Sequence, residues 1–189
     1  MKKALIVLVF VSVSLFSCKD KEISTEEGIL KIEKTLQENF DDDFEVYQLS
    51  LNASTLESNL DNISRVYKVK NIFFTDKFMY NGFTDPVKSP LGNLFKNKNP
   101  FTIGQVDVSI IPVKYNEALA LLKEKGLFKE GKDYLLNDWF FEADKNGAIF
   151  SEFDVQYETG SSSSGKVITV TYEEYSFKVD KNNKLNLIK

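Results

Sequence analysis

Two stretches of this chain carry apolar residues at helical spacing, and most other apolar positions fall in short runs suited to strands. In the first, Ile29, Ile32, Leu36 and Phe40 form one stripe on a helix ending near residue 40. Just ahead of it, Ser24-Thr25-Glu26-Glu27 reads as a capping box, with Ser24 as N-cap and Glu27 reaching back to it. The second helix is expected over 113–126, with Pro112 where it begins and Gly126 as its stop. Its predicted buried residues are Ala118, Leu119, Leu121 and Leu122.

Strand-like runs fill much of the remainder. Residues 44–51 suit a strand, and 52–61 are polar enough for a loop. The β-branched and aromatic run 63–75 reads as one strand, with Tyr67, Val69 and Phe73 on one parity, and 78–83 as another short one. Residues 106–111 suit a strand or the lead-in to the second helix. The strongest local signal is Asp144-Lys145-Asn146-Gly147 between the aromatic-rich runs 135–143 and 148–157. It predicts a hairpin whose Asn-Gly turn uses positive φ. The run 160–165, Gly-Ser-Ser-Ser-Ser-Gly, reads as a flexible link to a strand over 167–179. Asp180-Lys181-Asn182-Asn183 then turns into a last strand, 185–188.

The order is helix then strands, twice over. The segment 85–104 lies between the repeats and holds three of the four prolines. This pattern predicts an α+β fold, an antiparallel sheet with two helices packed on one face. The halves would be 24–84 and 105–189, joined by 85–104.

The N-terminus adds a location. Lys2 and Lys3 precede an apolar or small-residue run over 4–16, followed by Ser17 and Cys18. The run is shorter than the roughly 20 residues a membrane-spanning helix needs. The residues Leu15-Phe16-Ser17-Cys18 resemble the lipobox of bacterial lipoproteins. That resemblance implies a signal peptide over 1–17, diacylglyceryl attachment at the Cys18 thiol, and a tether over 18–23. It also implies a cell-envelope protein held at the outer membrane through lipidated Cys18. An uncleaved anchor is the rival reading. The charged Lys19-Asp20-Lys21-Glu22 resembles signals that carry some Bacteroidota lipoproteins to the cell surface, and the Lys, Asn and Phe richness resembles chains of that group.

Charge and residue inventory narrow the chemistry. The chain carries a net charge of −4, with Arg65 its only arginine, which argues against nucleic acid as partner. Cys18 is the only cysteine, so lipidation would leave no disulfide, thiol nucleophile or thiolate metal site. Histidine is absent, which removes His-based triads, general acid–base catalysis and metal ligation. No glycine-rich nucleotide loop or nucleophile elbow occurs. Asp41-Asp42-Asp43 lacks the spacing and glycine of a calcium loop and reads as a solvated turn. No cofactor and no metal are expected. Carboxylate-pair hydrolysis or a serine–lysine pair survives, but none of the 28 acidic residues stands out for the former.

Aromatic residues are the remaining candidates. Strand alternation sends Trp139 and Phe141 to the core with Phe153, Val155 and Tyr157, and turns Phe140 and Phe150 away from it. Phe140 and Phe150 are therefore ligand-binding candidates, as are Tyr172 and Tyr175 of an acidic-aromatic strand end. The paired helix-plus-hairpin order resembles PepSY and β-lactamase-inhibitor-protein-like domains, a likeness that carries no site residue. The expectation is a lipid-anchored, non-catalytic binding module for a protein, peptidoglycan or another glycan. The alternatives are an exported carboxylate-dependent hydrolase of glycan or peptidoglycan, and a structural subunit of an envelope complex.

Overall fold

Helix α1 (Glu26–Asn39) is capped by Thr25, not Ser24: its Oγ1 accepts a hydrogen bond from Gly28 N at 3.1 Å. That bond satisfies one of the amides the first turn leaves open, and Glu26 and Glu27 suit the positive end of the helix dipole. The computed structural model describes residues 23–52, 62–70, 72–79, 89–90, 95–164 and 167–189. The segment 1–17 read as a signal peptide, Cys18, and residues 53–61 of the loop expected over 52–61 lie outside them. Ile29, Ile32, Leu36 and Phe40 are all buried, as the stripe predicts. Ile23, assigned by sequence to the tether, is 1% exposed and belongs to the core.

Helix α2 (Ile110–Glu124) begins ahead of Pro112, which sits inside the first turn where its missing N–H breaks no helical bond. Asp107 Oδ1 accepts from both Ser109 N and Ser109 Oγ at the entrance. At the other end Gly126 adopts φ 68, Gly126 N bonds Lys123 O, and Leu127 N bonds Leu122 O. These two bonds make a Schellman stop. Ala118 and Leu122 are fully buried, whereas Leu119 and Leu121 are only partly so.

The strands are β1 (Glu45–Val46), β2 (Gln48–Asn52), β3 (Asn62–Val69), β4 (Ile72–Met79), β5 (Ser89–Pro90), β6 (Phe101–Thr102), β7 (Tyr134–Ala143), β8 (Ile149–Ser164), β9 (Val167–Val179) and β10 (Leu185–Leu187). Eight of them form one antiparallel sheet in the order β10-β9-β8-β7-β2-β3-β4-β5, while β1 pairs with β6. The fold is α+β. The N-terminal meander β2–β5 joins the C-terminal meander β7–β10 through β2 against β7, with Leu51 opposite Trp139.

Several strand expectations change as well. The run 63–75 is not one strand: Lys70, at φ 48, turns it into the β3–β4 hairpin, with Val69 opposite Ile72. Tyr67 and Phe73 are buried, but Val69 is 47% exposed. The serine run is no flexible link, because Ser161–Ser164 pair in register with Val170–Val167 as strand. Residues 44–51 divide at Tyr47 into β1 and β2. The proline-rich stretch also contributes structure: β5 extends the large sheet, and Phe101 and Ile103 enter the core.

Register explains the core. Leu49, Leu51, Trp139, Phe141, Phe153, Val155, Phe177 and Val179 are near-neighbours on one face of the sheet, and all are buried. Ile32, Leu36, Ile111, Ala118 and Leu122 from the two helices join the same cluster, so both helices cover that face. Trp139 stacks on Phe153 with centroids 4.2 Å apart, and Phe153 on Phe177 at 5.3 Å. Buried Trp139 Nε1 has no hydrogen-bond partner among the described residues.

Candidate functional site

The opposite face of the sheet carries Phe140 and Phe150. On β7 and β8, Phe140 stands across from Glu152 and Glu142 across from Phe150, so the aromatic and acidic side chains alternate diagonally. Both phenylalanines are half-buried. With Gln48 they line a depression of about 150 Å³.

Each carboxylate there is held. Glu142 pairs with Lys98 Nζ through Oε2 and accepts from Gln48 Nε2 through Oε1 at 2.8 Å. Lys178 Nζ donates to Glu152 Oε1 at 2.7 Å and lies 3.7 Å from the centroid of the Phe150 ring. A cation over the ring face is attracted by the π electrons and pins the aromatic plane. The result is apolar area bordered by ion pairs and one amide. Such a surface can stack against an apolar face and exchange hydrogen bonds at its rim. Both carboxylates already carry lysine partners.

Tyr172 and Tyr175 do not share a surface. Tyr172 is 37% exposed, whereas Tyr175 is 7% exposed and belongs to the core. The hydroxyls of Tyr157 and Tyr175 each lie 2.5 Å from one oxygen of Glu173. These two donors hold the Glu173 carboxyl below its usual range. In return, the hydrogen bond to Glu173 and burial push the Tyr157 phenol up to about 12. Burial, then Glu173, push the Tyr175 phenol up as well. The Tyr175 hydroxyl also lies 3.3 Å from Leu127 O, fastening the loop after α2 to the sheet. This cluster braces the fold.

Among the described residues no group of three or more His, Cys, Asp or Glu is placed to hold a metal ion, and no helix is long and apolar enough to cross a membrane. Alternation from Phe177 and Leu49 would have put Lys178 and Gln48 on the open face. Lys98 gave no such signal, because it precedes β6 outside any periodic run.

No family model matches the chain. No curated protein matches it. Among solved structures, a "putative lipoprotein" from Clostridium difficile 630 is 16% identical over 92% of this chain and 95% of its own, with a TM-score of 0.37. A likeness at that score carries no argument about this chain.

Proposed function

We propose that this chain is a lipid-anchored cell-envelope protein that binds a glycan-type ligand on the helix-free face of its sheet. The observation that carries the reading is the pair Phe140 and Phe150, standing on that face between the Glu142–Lys98 and Glu152–Lys178 ion pairs. Aromatic faces suit the apolar side of a sugar ring, and flanking carboxylate and amide oxygens suit its hydroxyls. Attachment through Cys18 rests on the Leu15-Phe16-Ser17-Cys18 motif. Several acyl chains give stable anchoring where one would be marginal.

The binding test uses the full chain in detergent against isolated peptidoglycan sacculi and soluble bacterial polysaccharides. Phe140→Ala and Phe150→Ala should each weaken retention about tenfold, the equivalent of roughly 1.4 kcal/mol. Equal retention of both variants would sink the site. Acyl labelling in cells tests the anchor: Cys18→Ala should abolish it, and persistent labelling would rule the lipobox out.

A hydrolase reading takes its support from the placement of Glu142 and Glu152 in one depression. It requires at least one of them to leave its lysine and act as an acid or nucleophile. Turnover of the same glycans, lost in Glu142→Gln, would favour it over simple binding.

A further inference from the structure

The β8–β9 hairpin outruns the rest of the sheet. Pairing with β7 stops at Tyr157, and pairing with β10 reaches only Phe177. Beyond those limits β8 and β9 pair only with each other, from Glu158 opposite Tyr172 to Ser164 opposite Val167. Among the described residues, nothing pairs with the outer edge of β9 from Val167 to Tyr172.

That edge lacks the usual protection. Exposed edges are commonly blunted by charge, proline or a bulge. Val167-Ile168-Thr169-Val170-Thr171-Tyr172 holds no charge and no proline, and most of it is β-branched. The irregularity in pairing falls on β8, between Glu158 and Gly160. Val167 and Ile168 are 64% and 72% exposed. Ile168, Val170 and Tyr172 share one face by alternation, and none has an apolar inner neighbour: Ser163 stands across from Ile168, Ser161 across from Val170 and Glu158 across from Tyr172. The β8 side therefore brings no apolar partner to this stripe.

We infer that the β9 edge pairs antiparallel with the same edge of a second copy of this chain, making a four-stranded ribbon across a two-fold axis at Val170. The strand is its own complement in that register. Ile168 falls opposite Tyr172 of the second copy, Thr169 opposite Thr171, and Val170 opposite Val170. Aromatic–β-branched and Thr–Thr pairs are favourable cross-strand partners, and no like charges oppose one another. The contact is isologous, so it closes at two copies. Five residues a side, Ile168 to Tyr172, fall short of the roughly 1,200 Å² of stable complexes, so the dimer is concentration-dependent.

The test is disulfide capture in the full chain, using Val170→Cys, with the unsubstituted chain and its lone Cys18 as control. Equivalent residues on the axis lie within the 4.4–6.8 Å Cα separation, about, that a disulfide spans. Mild oxidation should give a homodimer band in Val170→Cys but not in the control. Adding Ile168→Lys should reduce it at least tenfold without changing the circular dichroism spectrum. A chain that stays monomeric while the introduced thiol remains reactive would overturn the pairing. Capture of a different protein would also overturn it, assigning the edge to a foreign strand. Equal dimer yield from Ser162→Cys on β8 would show collision rather than register.

Discussion

Asp144 and Asp180 make the same pair of hydrogen bonds in two separate turns. Asp144 Oδ1 accepts from Asn146 N at 2.8 Å and Ala148 N at 3.0 Å; Asp180 Oδ1 accepts from Asn182 N at 2.9 Å and Lys184 N at 3.0 Å. The backbone matches as well, with Asp144 N bonded to Ala148 O and Asp180 N to Lys184 O. Each is a three-residue loop closing a hairpin, with its last residue, Gly147 or Asn183, at positive φ.

Acid should loosen both turns together. Backbone amides hold the Asp144 and Asp180 carboxyls below their usual range. A depressed folded-state pKa gives stability that is complete above the unfolded value of about 3.9 and lost as pH falls through the folded one. Urea unfolding at pH 7 and below pH 4 should show this loss. The double variant Asp144→Asn, Asp180→Asn should show less of it, while keeping an acceptor oxygen in each turn.

The residue closing each turn sets a second contrast. Gly147 has φ 79 and Asn183 φ 62. A β-branched side chain resists this region, so Gly147→Val should destabilise by at least about 1 kcal/mol. Asn183→Gly relieves the smaller strain asparagine bears there and should leave stability unchanged or raise it by less than about 1 kcal/mol. Denaturant midpoints decide both. An unchanged Gly147→Val midpoint would contradict the turn geometry.

The tyrosine pair makes an alkaline prediction. Tyr157, at about 12, and Tyr175, also raised, should titrate above the ordinary phenol value of about 10 when phenolate absorbance is followed. A raised folded-state value means stability is present below the unfolded pKa of about 10 and is lost as pH rises toward the folded one. Tyr175→Phe removes one donor from Glu173, so the Glu173 carboxyl should move back toward its ordinary value, read by NMR titration.

Phe153 and Phe150 lie close together on β8 but face opposite ways, so their truncations should differ. Phe153 is 1% exposed between Trp139 and Phe177, and Phe153→Ala should cost about 3–5 kcal/mol. Phe150→Ala should cost less than about 1.5 kcal/mol, losing chiefly the contact under Lys178. Comparable melting losses would mean that the open face is part of the core.

Legibility in the sequence followed the range of the interaction involved. The α1 stripe, the Gly126 stop and the inward set Trp139, Phe141, Phe153, Val155 and Tyr157 were all readable, because period and turn chemistry are local. The β3–β4 turn was missed because Lys70 is an unusual residue at φ 48, and no glycine marks the reversal. Ser161–Ser164 resembled a linker because serine has little strand preference; the β-branched partner strand Val167–Val170 holds it extended. Of the candidate site, alternation revealed that Phe140 and Phe150 face away from the core. Tyr175 could not be separated from Tyr172 without knowing that Leu127 and Glu173 meet its hydroxyl.

The seating of β2 between β3 and β7 has a kinetic side. Hairpins β3–β4, β7–β8 and β8–β9 close through neighbouring residues and can form early. Joining Leu51 to Trp139 instead requires the two meanders to find each other across the intervening chain, at the entropy of a long loop. During folding, the first meander must therefore wait with the β2 edge open until β7 arrives. Leu49→Ala and Leu51→Ala, at that seam, should slow the last folding step more than substitutions within either meander.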